Sequence, residues 1–380
     1  MRMIWLLGIY RLTKTYMMGA DVMASISLCM IVRDEHEVLA RCLSSVCDAV
    51  DEIVIVDTGS QDDTRDIALR YTDKVYDFKW QDDFAAARNY AFDMAHGDYL
   101  MWLDADDVIT PEQCERLSRF KDELDARMPN AVMMKYCLAF DEDGRCTMWN
   151  WRERLLRREA GMRWQGAVHE VIAVIGSVEH ADIAIEHRPG KKPLTMRNLL
   201  IYEGRRARGE NFSARDIYYY ARELYAHGLY AEAARRFEEF LMRGDGWIED
   251  EHAAYRLLGA CRAGMGDGEG ELMAYLNALK LGAPRAGMCC ALGRWYVERS
   301  LWPAAEFWFK AALDCGAAQD GFIDEDERAF LPYIWLCVCR DRQGDMSGAR
   351  HYCKLAAAIK PRDPTVLRNM QYFERHASAE

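Results

Sequence analysis

YLMWLDADD, residues 99–107, runs from an unbroken apolar stretch straight into the carboxylates of Asp104, Asp106 and Asp107. Continuous apolar character without alternation is the pattern of a strand buried on both faces. Like charges gathered at its end repel unless a cation lies among them or water surrounds them. The same apolar pattern occurs twice upstream, in residues 25–32 (SISLCMIV) and 52–57 (EIVIVD). Between these runs Val38, Leu39, Cys42, Leu43 and Val46 recur at helical spacing, as do Phe84, Ala87, Tyr90 and Ala91. Ser60 followed by Asp63 has the form of a capped helix start. Alternation of strand and helix predicts right-handed crossovers, a mainly parallel sheet, and ligand binding beyond the carboxyl ends of its strands. Asp57 and Asp104 both fall at such ends.

Residues 131–140 and 177–185 read as further strands of the same domain, on its acceptor side. The basic residues between them, Arg152, Arg154, Arg157, Arg158 and Arg163, either pair with neighbouring acids or receive an anionic acceptor. Past residue 214 the strand signals cease and a repeat begins. GLYAEAARRF (228–237), GDGEGELMAY (266–275), SLWPAAEFWF (300–309) and GDMSGARHYC (344–353) each open on a small turn residue, at spacings of 38, 34 and 44 residues. A period near 34 with paired helices is the tetratricopeptide pattern, and Pro361 stands where a repeat-ending proline often sits. The expected division is a leader over 1–24, an α/β domain over 25–213 and an all-α helical repeat domain over 214–380.

A chain of 380 residues with 51% apolar residues can bury substantial cores, and its net charge of −12 argues against general binding to nucleic acid or anionic membrane. Thirteen scattered cysteines suit reduced thiols in a cytoplasmic protein better than a disulfide framework or a zinc site. The apolar segment at residues 3–10 is too short to span a bilayer. Residues 1–24 therefore read as a mobile leader or an upstream start, with a peripheral anchoring helix as the alternative.

Two carboxylates separated by one residue in a turn, Asp104 and Asp106, can direct oxygens to one divalent cation, Mg²⁺ or Mn²⁺. The alternative is a solvated helix start, which Thr110-Pro111 would also explain. The order and spacing of SLCMIVRDE (27–35), DEIVIVDTGSQDDT (51–64), DFAAARNYAF (83–92) and GDYLMWLDADD (97–107) resemble the family 2 inverting glycosyltransferases, which have the GT-A fold. WQGAVHE (164–170) is similar to a motif of bacterial members that carry tetratricopeptide repeats, among them peptide glycosyltransferases. Asp34 stands where many relatives have asparagine.

The resemblance implies a Rossmann-like GT-A domain and a nucleotide-sugar donor, UDP-linked, with Mn²⁺ or Mg²⁺ as cofactor. It implies that Asp57 and Glu35 contact the nucleoside and that Arg88 and Asn89 position the nucleotide. Asp104 and Asp106 would form the DXD motif, Asp106 being the direct metal ligand and His187 a further one. Lys191, Lys192 and Arg197 would meet the diphosphate. An inverting transfer needs one base on the acceptor side, and Glu170 is the candidate, with His169 as alternative or orienting partner. Trp149, Trp151 and Trp164 either stack on sugars or pack the core.

The repeats point to a peptide or protein acceptor, because a concave groove suits an extended or helical segment. A cell-surface or lipid-linked glycan is the alternative acceptor, with the repeats then serving homodimerisation. A modified nucleic-acid base is a third option. The non-enzymatic alternative is a repeat scaffold carrying an inactive transferase domain, against which intact Asp57, Arg88, Asp104 and Asp106 weigh.

Overall fold

The computed structural model describes residues 24–190, 195–316 and 321–377. The expected leader, up to residue 23, and the expected diphosphate ligands Lys191 and Lys192 lie outside the described residues. The chain opens β1 (Ile26–Val32), α1 (Leu39–Val46), β2 (Glu52–Asp57), α2 (Thr64–Ala68), β3 (Val75–Asp77), α3 (Phe84–Asp93) and β4 (Tyr99–Trp102). It continues through β5 (Asp107–Val108), α4 (Pro111–Arg127), β6 (Ala131–Phe140), β7 (Cys146–Arg157), β8 (Trp164–Gln165), β9 (Val171–Ile172) and β10 (Val178–His187).

One sheet carries the strand order β3-β2-β1-β4-β7-β6-β10-β5. Its first four strands are mutually parallel, as the apolar runs predict. β4 then pairs antiparallel with β7, and β7 with β6. Ile26, Leu28 and Met30 of β1 have no exposed surface and share a core with Leu39, Cys42 and Leu43 of α1. Cys29, on the opposite face, is buried in a second core with Ala85, Ala91 and Phe92 of α3, which explains the non-alternating pattern. Two local readings shift. Thr64 opens α2, and the Ser60 hydroxyl instead accepts from Asp34 N at 3.1 Å. Thr110 does cap α4, accepting from Gln113 N.

The largest addition to the sequence reading is β7, which contains three of the five arginines held open above. Those arginines are spent internally. Arg154 pairs with Asp107, Arg157 with Glu159 and Arg163 with Asp93, while Arg158 Nε donates to the Gly97 carbonyl. Arg152 lies over the Trp102 ring, 4.7 Å from its centre.

Helices α5 (Arg197–Ala207), α6 (Ala214–Ala226), α7 (Tyr230–Arg243), α8 (Ile248–Gly264), α9 (Gly268–Asn277), α10 (Ala286–Glu298) and α11 (Trp302–Asp314) follow. After a short strand β11 (Ile323–Asp324) come α12 (Leu331–Arg342), α13 (Met346–Ile359) and α14 (Pro364–Ala377). The four repeat-opening residues all sit in helix–helix turns with left-handed backbone: Gly228, Gly266, Ser300 and Gly344 have φ of 73°, 77°, 58° and 78°. That conformation explains the small residue at each repeat start, since only glycine enters it without steric cost. The helices form a tetratricopeptide-like array of antiparallel pairs, and β11 returns from it to pair with β7. Within the array, α5 to α9 share a core with Val168 of the α/β domain. No described helix is long and apolar enough to cross a membrane.

The edge of β2 is held by Glu52, which accepts from His96 N at 2.7 Å, from Lys74 at 2.5 Å and from the Ser27 hydroxyl. Burial alone would raise this carboxyl, but the hydrogen bonds from His96, Lys74 and Ser27 hold it at about 2. A group depressed in the fold contributes stability above its unfolded value and loses it as pH falls through the folded one. Glu52→Gln should therefore lower stability by about 2 kcal/mol at pH 7. The difference should shrink below pH 4.5 and vanish near pH 2, as read from urea unfolding across that range.

Candidate active site

The acidic turn that follows β4 divides its carboxylates among different partners. Asp107 has no exposed surface. One of its oxygens accepts from Arg154 Nη1 at 3.0 Å and from Asp104 N at 3.0 Å, and the other from the Tyr136 hydroxyl at 2.9 Å. The Arg154 guanidinium is itself fully buried, 3.9 Å from the Trp102 ring centre and 4.4 Å from that of Tyr136. Of the three acids, Asp107 is the buried anchor of the turn. The later Arg154, three residues before the end of β7, was the one signal that a buried acid needed a partner.

With Asp107 fixed, its neighbours face outward. Asp106 lies beside His187, Nδ1 to Oδ1 3.4 Å, at the end of β10, where His187 pairs in register with Asp107. Asp106, Asp107 and His187 bring one potential ligand atom each within 4.8 Å of one another. Hydrogen bonds to Asp106 and Asp107 raise the His187 imidazole to about 10, so an imidazolium balances the two acids. Carboxylate oxygens with one imidazole are a donor set that Mn²⁺ accepts and that Mg²⁺ accepts in its carboxylate part. The residues therefore fit a divalent cation.

Asp104 turns the other way. Its Oδ1 accepts from Arg88 Nη2 at 2.6 Å, while Arg88 Nε donates to Glu170 Oε1 at 2.5 Å. Burial alone would raise the Asp104 carboxyl, but the charge and hydrogen bond of Arg88 hold it at about 2. Arg88 is thus no surface partner of Asp82 or Asp83. Asp83 instead caps α3, accepting from Ala86 N at 2.9 Å. The Arg88 guanidinium also packs against Trp164, 4.8 Å from the ring centre, which places Trp164 in the core rather than on a ligand.

These groups line a cleft of about 300 Å³ at the carboxyl ends of β1 and β4, with Glu35, Arg88, Asp104, Asp106, His169, Glu170 and His187 on its walls. Arg197, at the start of α5, joins them. It packs over Phe84 and makes no ion pair among the described residues, and burial and the Arg33 charge lower its pKa. Two expected residues stay out of the lining. Asp57 is buried, with Oδ1 accepting from Gly59 N and Ser60 N at 2.9 and 2.8 Å. Asn89 makes reciprocal hydrogen bonds with the backbone of Trp164, at 3.0 and 2.9 Å. Trp149 and Trp151 lie on the β6–β7 hairpin, edge to face with each other.

The helical array supplies part of this cleft. His169, in left-handed backbone with φ 51°, stacks on Tyr219 of α6 at 4.3 Å and places Nε2 2.7 Å from Glu223 Oε1. Asn198 also donates to Glu223 Oε1, and Arg215 donates to the His169 carbonyl. Sequence reasoning missed Glu223, because nothing local sets it apart from the other acids of an amphipathic helix.

A Rossmann-like α/β domain of GT-A type, joined to a tetratricopeptide-like array, is the class that this fold and cleft define. Residues 27–177 match the model of the family described as Glycosyl transferase family 2, so this region is a family 2 glycosyltransferase domain. A TPR repeat-containing protein of Synechococcus elongatus is 41% identical over 40% of this chain and 36% of its own length. The SPbeta prophage-derived glycosyltransferase SunS of Bacillus subtilis is 28% identical over 37% of this chain and 33% of its own. The chain thus spans about a third of the length of these curated relatives. A solved tetratricopeptide repeat protein from Parabacteroides merdae aligns over 47% of this chain and 65% of its own, with 13% identity and a TM-score of 0.38.

Arg154→Met takes the guanidinium from a fully buried carboxylate, so it should cost about 3–5 kcal/mol of stability. Arg154→Met combined with Asp107→Asn should recover part of that loss. Denaturant unfolding of the two variants reads the comparison.

Proposed function

We propose that this protein is a metal-dependent inverting glycosyltransferase that uses a nucleotide diphosphate sugar, UDP-linked, with Mn²⁺ or Mg²⁺. The observation that carries the reading is the division of one acidic turn between a cation-compatible cluster, Asp106 with His187, and an arginine clamp, Arg88 on Asp104 and Glu170. In this reading Asp106 and His187 hold the metal, with Asp107 behind them as their anchor. A metal bound there supplies neutralisation of the diphosphate leaving group. Arg197 offers an unpaired guanidinium to the same diphosphate, and Glu35 and Thr58 border the nucleoside side of the cleft.

For the base, geometry favours the partner over the first candidate. Glu170 is committed to Arg88 and helps to hold it against Asp104. His169 lines the cleft with its ring fixed by Glu223 and Tyr219, the arrangement of an oriented proton acceptor. His169 would then take the proton of the attacking nucleophile while Glu223 holds its ring in place. The acceptor approaches beside α6. The peptide or protein acceptor expected from the repeats would need an open concave groove, and part of that groove is covered by the β6–β7 hairpin.

Release of UDP from a panel of UDP-sugars with Mn²⁺ tests the reading. Asp106→Ala should abolish metal-dependent release while thermal unfolding stays unchanged; an unaltered rate would remove the metal site. His169→Gln should reduce release by at least about 100-fold. Glu170→Gln, which can still accept from Arg88, should lose less. The reverse order of those two losses would return the base to Glu170.

A further inference from the structure

The array is rooted on the α/β domain at both ends. At its start, α6 holds His169. At its far end, β11 pairs with β7, Trp149 Nε1 donates to Glu325 at 3.1 Å, and Arg362 pairs with Asp143 in the hairpin turn at 3.1 Å. Arg145 of that turn also donates to the Ile359 carbonyl. The hairpin therefore closes one side of the concave face and leaves a compact cavity of about 530 Å³, with Leu138 and Met148 as its floor and α6, α8 and α10 as its walls. That volume is in the usual range of small-molecule sites rather than of long polymer grooves.

The polar lining of this cavity is mostly spoken for. Arg256 pairs with Glu327 and Arg285 with Glu249. Among its charged and imidazole side chains, Asp250, Arg222 and His252 are the exceptions. Asp250 is 8% exposed, yet makes no hydrogen bond or ion pair among the described residues. Burial pushes its carboxyl up to about 6, against the opposing charges of Arg215 and Arg222. Among the described residues Arg222 makes ring contacts alone, to Tyr218, Tyr219 and Phe322 at 5.2–5.9 Å. A buried polar group left unpaired costs free energy that a ligand with the matching group recovers.

We propose that this cavity is a second binding site, separate from the cleft, for an uncharged saccharide unit. A sugar's neighbouring hydroxyls donate to Asp250 and accept from Arg222, with His252 as a further polar group without a partner among the described residues. Its apolar face packs on the aromatic rings of the lining, of which Trp247 is half exposed at the rim. With the remaining charges already paired, the site calls for no net charge on the ligand. One helix separates the two sites, since α6 presents Tyr219 and Glu223 to His169 and Tyr218 and Arg222 to the cavity.

Saturation-transfer NMR of the full chain with glucose and with N-acetylglucosamine, each at millimolar concentration without nucleotide or metal, tests the site. Binding of at least one sugar is expected, unchanged by excess UDP and by Asp106→Ala. Asp250→Ala should weaken it by about tenfold or more. Trp247→Ala, at an exposed position, should weaken it as well and serves if Asp250→Ala fails to fold. No transfer to either sugar would overturn the proposal. So would a signal that UDP or Asp106→Ala removes, because it would place the sugar in the cleft, or one that both cavity variants leave intact. Since neither nucleotide nor metal is present, failure here leaves the UDP-release measurement free to stand or fall separately.

Discussion

The buried pair of Asp107 and Arg154 fixes the geometry on which the cleft depends. Taking two charges out of water is costly, and their attraction offsets the cost only when the remaining donors and acceptors are also matched. The Asp107 oxygens are matched by Tyr136 and Asp104 N, and Arg154 Nη1 also donates to the Trp102 carbonyl. The guanidinium's Nε and Nη2 have no hydrogen-bond partner among the described residues and lie against two aromatic faces. These partners come from β4, β6 and β7, so one carboxylate ties the parallel part of the sheet to the antiparallel part. The register of the turn follows from it. With Asp107 pointing inward, Asp106 meets His187 on one side and Asp104 meets Arg88 on the other.

That division gives the acidic turn two electrostatic surroundings within three residues. Asp104 sees a guanidinium that is shared with Glu170 and packed against Trp164, and so stays ionised. Asp106 sees an imidazole that a divalent cation can displace as the balancing charge. The cleft between them carries carboxylates on its sheet side and faces Arg197 across it.

The array contributes to the cleft as well as to the rest of the architecture. His169 leaves the α/β domain in a left-handed turn and finds both its stacking partner and its carboxylate on α6. The first helices of the array are thus part of the cleft wall, and α5 packs with them rather than with the sheet. The last helices grip the β6–β7 hairpin, which fixes the acceptor-side strands and encloses the second cavity.

The sequence by itself determined the parallel strands, the repeat turns and the residues at the strand ends, because each is written in a local pattern. Apolar runs specify strands buried on both faces, and left-handed turns select small residues at each repeat start. The resemblance of those stretches to the family made Arg88, Asp104, Asp106, His169, Glu170 and His187 legible as candidates. Only the tertiary structure decided which carboxylate is buried, that Arg154 is its partner and that Glu223 serves His169. It also decided that Asp57 and Asn89 turn to backbone groups outside the cleft lining. Those choices are pairings between groups 47 or more residues apart for Arg154 with Asp107 and for Glu223 with His169. A charged residue looks alike in sequence whether it meets water or an opposite charge, and only packing removes the water.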